Sequence, residues 1–165
     1  MSKRYSFVTT WHVGADVKAV WQAIVEVEQW PEWWPSVESA VAVAHGNNVG
    51  VGTVYRFVWR GKLPYRLSFQ MRVSRVEPHE FLEGIATGEL EGSGVWRFLS
   101  EGGTTRIRYE WGVITTKRWM NLLAPVLRPV FCWNHDHVMT EGGEGLARRL
   151  HCELLSISHE STVGV

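Results

Sequence analysis

The chain has 165 residues, 45% of them hydrophobic and 21% charged, and its formal net charge is zero. That balance gives no electrostatic pull toward nucleic acid, and no run approaches the ~18 apolar residues of a membrane span. Nucleic-acid binding and integral membrane association are therefore not expected.

The opening stretch MSKRYSFVTT lacks the apolar core of a signal peptide, so a cytoplasmic location is the expectation. Ten tryptophans are unusual for this length; so much indole needs a large core, a cavity, or both. The cysteines, Cys132 and Cys152, would lie roughly 30 Å apart on one helix, far beyond disulfide reach. They read as buried thiols.

In chain order, RYSFVTTWHV (4–13) is rich in β-branched and aromatic residues and reads as a strand. Asp16 can cap the next segment, where Val17, Val20, Trp21 and Ile24 form the apolar stripe of a helix. In WPEWWPSV, Pro31 is placed to start a second short helix and Pro35 to end it. Residues 37–115 then alternate. Tyr55, Phe57 and Trp59 fall on one face and Arg56, Val58 and Arg60 on the other. Tyr65, Leu67, Phe69, Met71 and Val73 oppose Arg66, Ser68, Gln70 and Arg72, and Ile107, Tyr109, Trp111 and Val113 continue the apolar face. Turn signals in HGNNVGVG, RGKLP, EPHE and SEGG separate the runs. The reading is a meander of about six antiparallel strands, about seven with the first.

After Thr116 the pattern is helical to about Leu155, with Pro125 and Pro129 placed to kink or restart the helix. Phe131, His135, Val138, Gly142, Leu146 and Arg149 share about 100° of its arc. Gly142 and Gly145 weaken it by roughly 1 kcal/mol each, which asks for close packing against a strand or for room for a ligand. Residues 156–165 read as a loose tail after a single domain spanning 1–155.

WNHDHVM (133–139) puts His135 and His137 one residue apart. On a strand the pair could chelate a metal, but on a helix they diverge by roughly 200°. Metal binding is therefore not expected, and no Cys or His cluster elsewhere supplies ligand spacing. His135 has Phe131, Cys132, Val138 and Met139 as helical neighbours and should face the sheet. It is either a core histidine bonded to a backbone carbonyl or a polar group in an apolar pocket beside Asn134.

Several segments carry a family resemblance: VWQAIVEVEQWPEWWPSV, GELEGSGVWRF and NHDHVM followed by GGEGLARRL. In their order along the chain they resemble the START-like, Bet v 1-like superfamily, closest to its polyketide cyclase/dehydrase and lipid-transport branch. The resemblance covers about Tyr5 to Leu155. It implies an α+β helix-grip fold, in which a curved antiparallel sheet wraps a long C-terminal helix and leaves an apolar cavity. It also implies that one or two of Trp30, Trp33 and Trp34, which cannot all be buried in so short a helix, sit at the pocket mouth; Trp33 and Trp34 are the candidates.

GELEGSG lacks the Gly-Lys-Ser/Thr of a phosphate loop and reads as strand bends or bulges at Gly92 and Gly94. Arg56, Arg60, Arg66 and Arg72 form an outer face, solvated or docking an acidic partner. No nucleophile–base–orienter set can be assembled, and GxSxG is absent. The first functional expectation is thus a binding or transport protein for a hydrophobic lipid, fatty-acyl or polyketide-like molecule. The ligand should touch Phe57, Trp59, Phe69, Trp96, Tyr109, Trp111, Phe131, Asn134, His135 and Val138, with access near Trp33 and Trp34. An alternative is a polyketide aromatase/cyclase or dehydrase using His135 with Tyr109 or Tyr55. A third is a protein-interaction module with a vestigial cavity. No cofactor is implied, and a homo-oligomer stays open.

Overall fold

A computed structural model describes residues 4–164; residues 1–3 of the opening stretch and Val165 of the expected tail lie outside the described residues. Strand β1 (Arg4–Val13) buries every second side chain, from Tyr5 and Phe7 to Trp11 and Val13. Helix α1 (Val17–Val25) begins where the Asp16 carboxylate accepts the Ala19 N–H at 2.9 Å, satisfying one of the free donors of the first turn. It buries Val20, Trp21, Ala23 and Ile24. A 3-10 turn (Val27–Gln29) leads into α2 (Trp30–Trp33), which has Pro31 in its first turn.

Strands β2 (Val37–Ala44), β3 (Val54–Trp59), β4 (Leu67–Glu77), β5 (Phe81–Gly88), β6 (Leu90–Glu101) and β7 (Thr104–Thr115) form the expected meander. Helix α3 (Arg118–Arg149) follows, and then β8 (Leu154–Gly164). The eight strands form one curved antiparallel sheet in the order β2-β3-β4-β5-β6-β7-β1-β8. Its concave face closes on α3, and the whole is the α+β helix-grip arrangement.

Three expectations need correction. The segment read as a tail is the eighth strand, paired with β1 from Val13–Leu154 to Arg4–Gly164. Its polar sequence, SISHEST, hides it because only part of this edge strand meets the core, through Leu154 and Ile157. The long helix stops at Arg149, six residues short of the expected end. His151 takes a left-handed backbone (φ 51°), and the Cys152 N–H turns back to the Ala147 carbonyl at 3.0 Å, a helix-ending geometry. Pro125 and Pro129 also do not restart the helix, which runs through both as one element. Both rings lie on its exposed side, where carbonyls left without an N–H partner can be hydrated.

The glycines of α3 answer the packing question. A Cβ on Gly145 would lie 1.8 Å from the Trp33 carbonyl oxygen, and one on Gly142 would lie 2.4 Å from the Trp34 ring. The close neighbour is α2 rather than a strand. Gly92 and Gly94 are not bulges, since β6 keeps continuous register with β5 and β7. Gly94 instead leaves room for Tyr109 and Trp111, since a Cβ would meet the Tyr109 hydroxyl at 2.5 Å and the Trp111 ring at 3.0 Å. On the outer face Arg56, Arg60, Arg66 and Arg72 are all exposed, and Arg66 pairs with Glu38 at 2.7 Å. The cysteines are free and half-buried rather than fully enclosed.

Candidate functional site

Between the concave sheet and α3 lies a cavity of about 190 Å³. Liquid water takes about 30 Å³ per molecule, so this space exceeds a packing defect. Parity places the wall. Tyr55, Phe57 and Trp59 come from β3; Leu67, Phe69, Met71 and Val73 from β4; Trp96 from β6; and Tyr109, Trp111 and Val113 from β7. The helix closes the space with Met120, Phe131, Asn134, His135, Val138 and Met139. All ten residues expected to contact a ligand lie on this wall, as does Tyr55.

The aromatic rings brace one another. Trp96 stacks on Tyr109 with centroids 4.1 Å apart, and Trp34 meets Trp59 edge-on at 5.0 Å. Such offset and edge contacts suit aromatic quadrupoles and hold the wall rigid.

The tryptophans of α2 are placed differently from the expectation. Trp30, Trp33 and Trp34 are all buried, with Trp34 only 1% exposed. A short helix can bury all three because it is clamped between the sheet and the glycines of α3. Trp34 Nε1 donates to the Val138 carbonyl at 2.8 Å, and Trp11 Nε1 donates to that of Met139 at 3.0 Å. Trp34 is thus part of the wall rather than a mouth, and Trp33 packs behind it. Among the lining residues, partial exposure falls at Gly61 and Tyr65 on the β3–β4 loop, on β3, β4 and β5, at Tyr109, and at Asn134, His135 and Val138 of α3.

His135 lies flat against Phe7, with ring centroids 3.8 Å apart and 14° between planes. Its Nδ1 is enclosed without a hydrogen-bond partner among the described residues, and the nearest carboxylate oxygen, on Asp136, is 3.7 Å away. The expected bond to a backbone carbonyl is not made. Burial holds the imidazole below its ordinary pKa, an effect partly opposed by Asp136, so at neutral pH it is uncharged. The cavity tyrosines are shifted upward. Burial raises Tyr109 strongly, raises Tyr55 with help from the Glu28 charge, and pushes Tyr65 up to about 12. The histidine and these three tyrosines are therefore held in their neutral forms.

Asn134 does more than line the cavity. Its Oδ1 accepts the Lys62 N–H at 2.9 Å, and a Cβ on Gly61 would collide with it at 2.4 Å. It pins the β3–β4 loop to the helix. His137 faces the other way, beside Glu141 at 3.1 Å and stacked on Trp133. Among the described residues, no group of three or more His, Cys, Asp or Glu side chains is placed to hold a metal ion.

Sequence reasoning missed Tyr5 and Phe7, which line the cavity from β1. Alternation along RYSFVTTWHV (Tyr5, Phe7, Thr9, Trp11, Val13) was the available signal. It also missed Met120, which precedes the segment whose arc was assigned, and Met139, which lies just outside that arc.

Residues 13–140 match the family model described as polyketide cyclase / dehydrase and lipid transport. No curated protein sequence matches the chain. Among solved structures, the Zhui aromatase/cyclase from Streptomyces sp. R1128 is similar at 14% identity and TM-score 0.72, over 89% of this chain and 94% of that one. A START superfamily protein from Mycobacterium smegmatis is similar at 14% identity and TM-score 0.72, over 89% and 97%. TTHA0849 from Thermus thermophilus is similar at 18% identity and TM-score 0.69, over 87% and 98%. These likenesses are of fold. On the family match, which spans most of its length, the chain belongs to the polyketide cyclase / dehydrase and lipid transport family.

Proposed function

We propose that this protein binds a hydrophobic small molecule, of lipid, fatty-acyl or aromatic polyketide type, in the cavity between the sheet and α3. The observation that carries this reading is the wall itself: a space of about 190 Å³ surrounded almost wholly by aromatic and aliphatic side chains. Its histidine and tyrosines are held neutral, so they offer no fixed charge to an ionic ligand. Burying apolar ligand surface there is worth about 25 cal/mol per Å², and rigid rings lower the ordering cost of binding. Native mass spectrometry of protein purified from cells, followed by organic extraction, tests the reading. The expected result is a co-purifying apolar molecule, or micromolar binding of dodecanoate or 1-naphthol by calorimetry. A chain that carries none and binds neither counts against it.

A second reading, an aromatase/cyclase or dehydrase acting on a polyketide-like chain, is favoured by one observation. His135 sits on the cavity wall, neutral and free of backbone bonds, and so could accept a proton there, with Tyr109 or Tyr55 donating one. The aromatase/cyclase named among the similar structures supports the fold of this reading and no more. Incubation with a poly-β-ketone thioester mimic tests it. Cyclisation with loss of water by the wild type, and its loss in His135→Ala with binding retained, is the expected pattern. Equal conversion by both proteins removes the role of His135.

A further inference from the structure

Beside the cavity wall, α3 meets β1 and β8 along a short polar seam. Asp136 Oδ1 lies 3.7 Å from His135 Nδ1 and 3.8 Å from His159 Nδ1, so one carboxylate oxygen is within reach of two imidazoles. His159, on β8, is itself held at both nitrogens. Its Nδ1 is 3.2 Å from Thr9 Oγ1 and its Nε2 is 3.0 Å from Thr140 Oγ1. Cys132, one turn earlier on α3, is a further titratable neighbour of this carboxylate.

The hydrogen bonds decide which nitrogens carry protons. The Thr140 hydroxyl has one proton and donates it to the Asp136 carbonyl at 2.8 Å. Toward His159 it can only accept, so His159 Nε2 carries the N–H that donates to it. A neutral His159 then has a bare lone pair at Nδ1, which accepts the Thr9 hydroxyl. Asp136 Oδ1 therefore receives no proton from His159. The N–H it can attract is at His135 Nδ1, which is enclosed and otherwise unpartnered among the described residues. At 3.7 Å the pair is an electrostatic contact rather than a formed hydrogen bond. Attraction in a buried setting is weakly screened, and it favours the proton on the nitrogen that faces the carboxylate.

We propose that Asp136 is a positioning residue that holds neutral His135 as its Nδ1–H tautomer, so that Nε2 presents a lone pair to the cavity. Of the two ring nitrogens it is Nδ1 that protein encloses, and His135 stands on the wall, which leaves Nε2 for a guest. A lone pair there calls for a donor. The guest it fits is an apolar molecule carrying a hydroxyl, such as a phenol or an enol, in preference to the matching ether. The hydroxyl preference rests on the cavity being a binding site; the tautomer of His135 does not.

Nitrogen-15 NMR of histidine-labelled protein at neutral pH reads the tautomer directly, with His135→Phe assigning the signal. The expected spectrum shows His135 protonated at Nδ1 in the wild type and shifted toward the Nε2–H form in Asp136→Ala. The Asp136 side chain is 37% exposed, so its truncation should leave the fold intact. Calorimetry with 1-naphthol and 1-methoxynaphthalene reads the consequence. The wild type should prefer the naphthol by about fivefold to tenfold. Asp136→Ala should lower that ratio by about threefold, and His135→Phe should remove the preference. An Nε2–H His135 in the wild type overturns the proposal. So does a naphthol preference that is absent, or that either variant leaves unchanged. The Nδ1–H tautomer in a protein that binds neither probe supports the role of Asp136 while removing the cavity as a binding site.

Discussion

His135 and Phe7 face each other as parallel rings 3.8 Å apart, one from α3 and one from β1. The contact ties the helix to the strand next to the sheet's edge and covers one face of the imidazole. Its consequence is a pH-dependent stability of definite sign. The folded pKa lies below the unfolded value of about 6.5, so below that value the unfolded chain binds more protons than the folded one. Stability is therefore retained above pH 6.5 and declines as pH falls through it, by up to about 1.4 kcal/mol per pH unit from this group. Asp136 opposes the shift and His159 adds to it. Urea denaturation at a series of pH values should show the decline in the wild type and a flatter profile in His135→Phe. Parallel profiles would mean that the imidazole is hydrated.

Gly145→Ala should destabilise the protein by at least about 2 kcal/mol. In an open helix the change would be favourable by about 1 kcal/mol. Here the new methyl would lie 1.8 Å from the Trp33 carbonyl oxygen, and backbone cannot swing aside. The steric term wins. Glu144→Ala, at the exposed neighbouring position, should stay within about 0.5 kcal/mol. Denaturant midpoints compare the two.

Inside and outside of the sheet can be told apart by a pair of substitutions. Trp111→Ala removes a buried wall residue, costs about 3–5 kcal/mol of stability, and should shift binding toward longer or bulkier apolar molecules. Arg60→Ala on the outer face should leave binding as it was. A series of fatty acids of increasing length, titrated against each variant, provides the measurement. Equal effects from both would mean that the parity assignment is wrong.

Deleting residues 154–165 should lower the melting temperature and promote aggregation. The deletion removes Leu154 and Ile157 from the core and strips β1 of one of its two partners. An exposed β1 edge is then available to other chains. Thermal unfolding with light scattering would record both effects. An unchanged melting temperature would restore the view of this segment as a tail.

The strand faces were legible because a period of two leaves each strand one apolar side. Phe57, Phe69 and Trp111 on the wall and Arg56, Arg66 and Arg72 outside follow from that alone. What stayed hidden depended on contacts distant in sequence. Whether Trp33 and Trp34 are buried is decided by glycines more than a hundred positions later, and no local pattern records that. The last strand escaped notice because an edge strand needs little apolar content when its partner supplies the hydrogen bonds. The cavity itself was implied by resemblance. Aromatic side chains on a concave face could equally have filled the space, and the volume left over is set by their mutual stacking.

Trp11, Trp30, Trp33, Trp34, Trp59 and Trp96 form one connected cluster, in which neighbouring ring centroids are 5.0–6.4 Å apart. Chromophores at such separations do not absorb or emit independently. Excitation of one ring migrates through the group, and fixed angles between rings give a strong near-ultraviolet dichroism that vanishes when tertiary packing is lost. Four of the six, Trp30, Trp34, Trp59 and Trp96, also form the cavity wall. The protein therefore carries its own optical gauge: a guest that turns one indole by a few degrees alters the signal of all six.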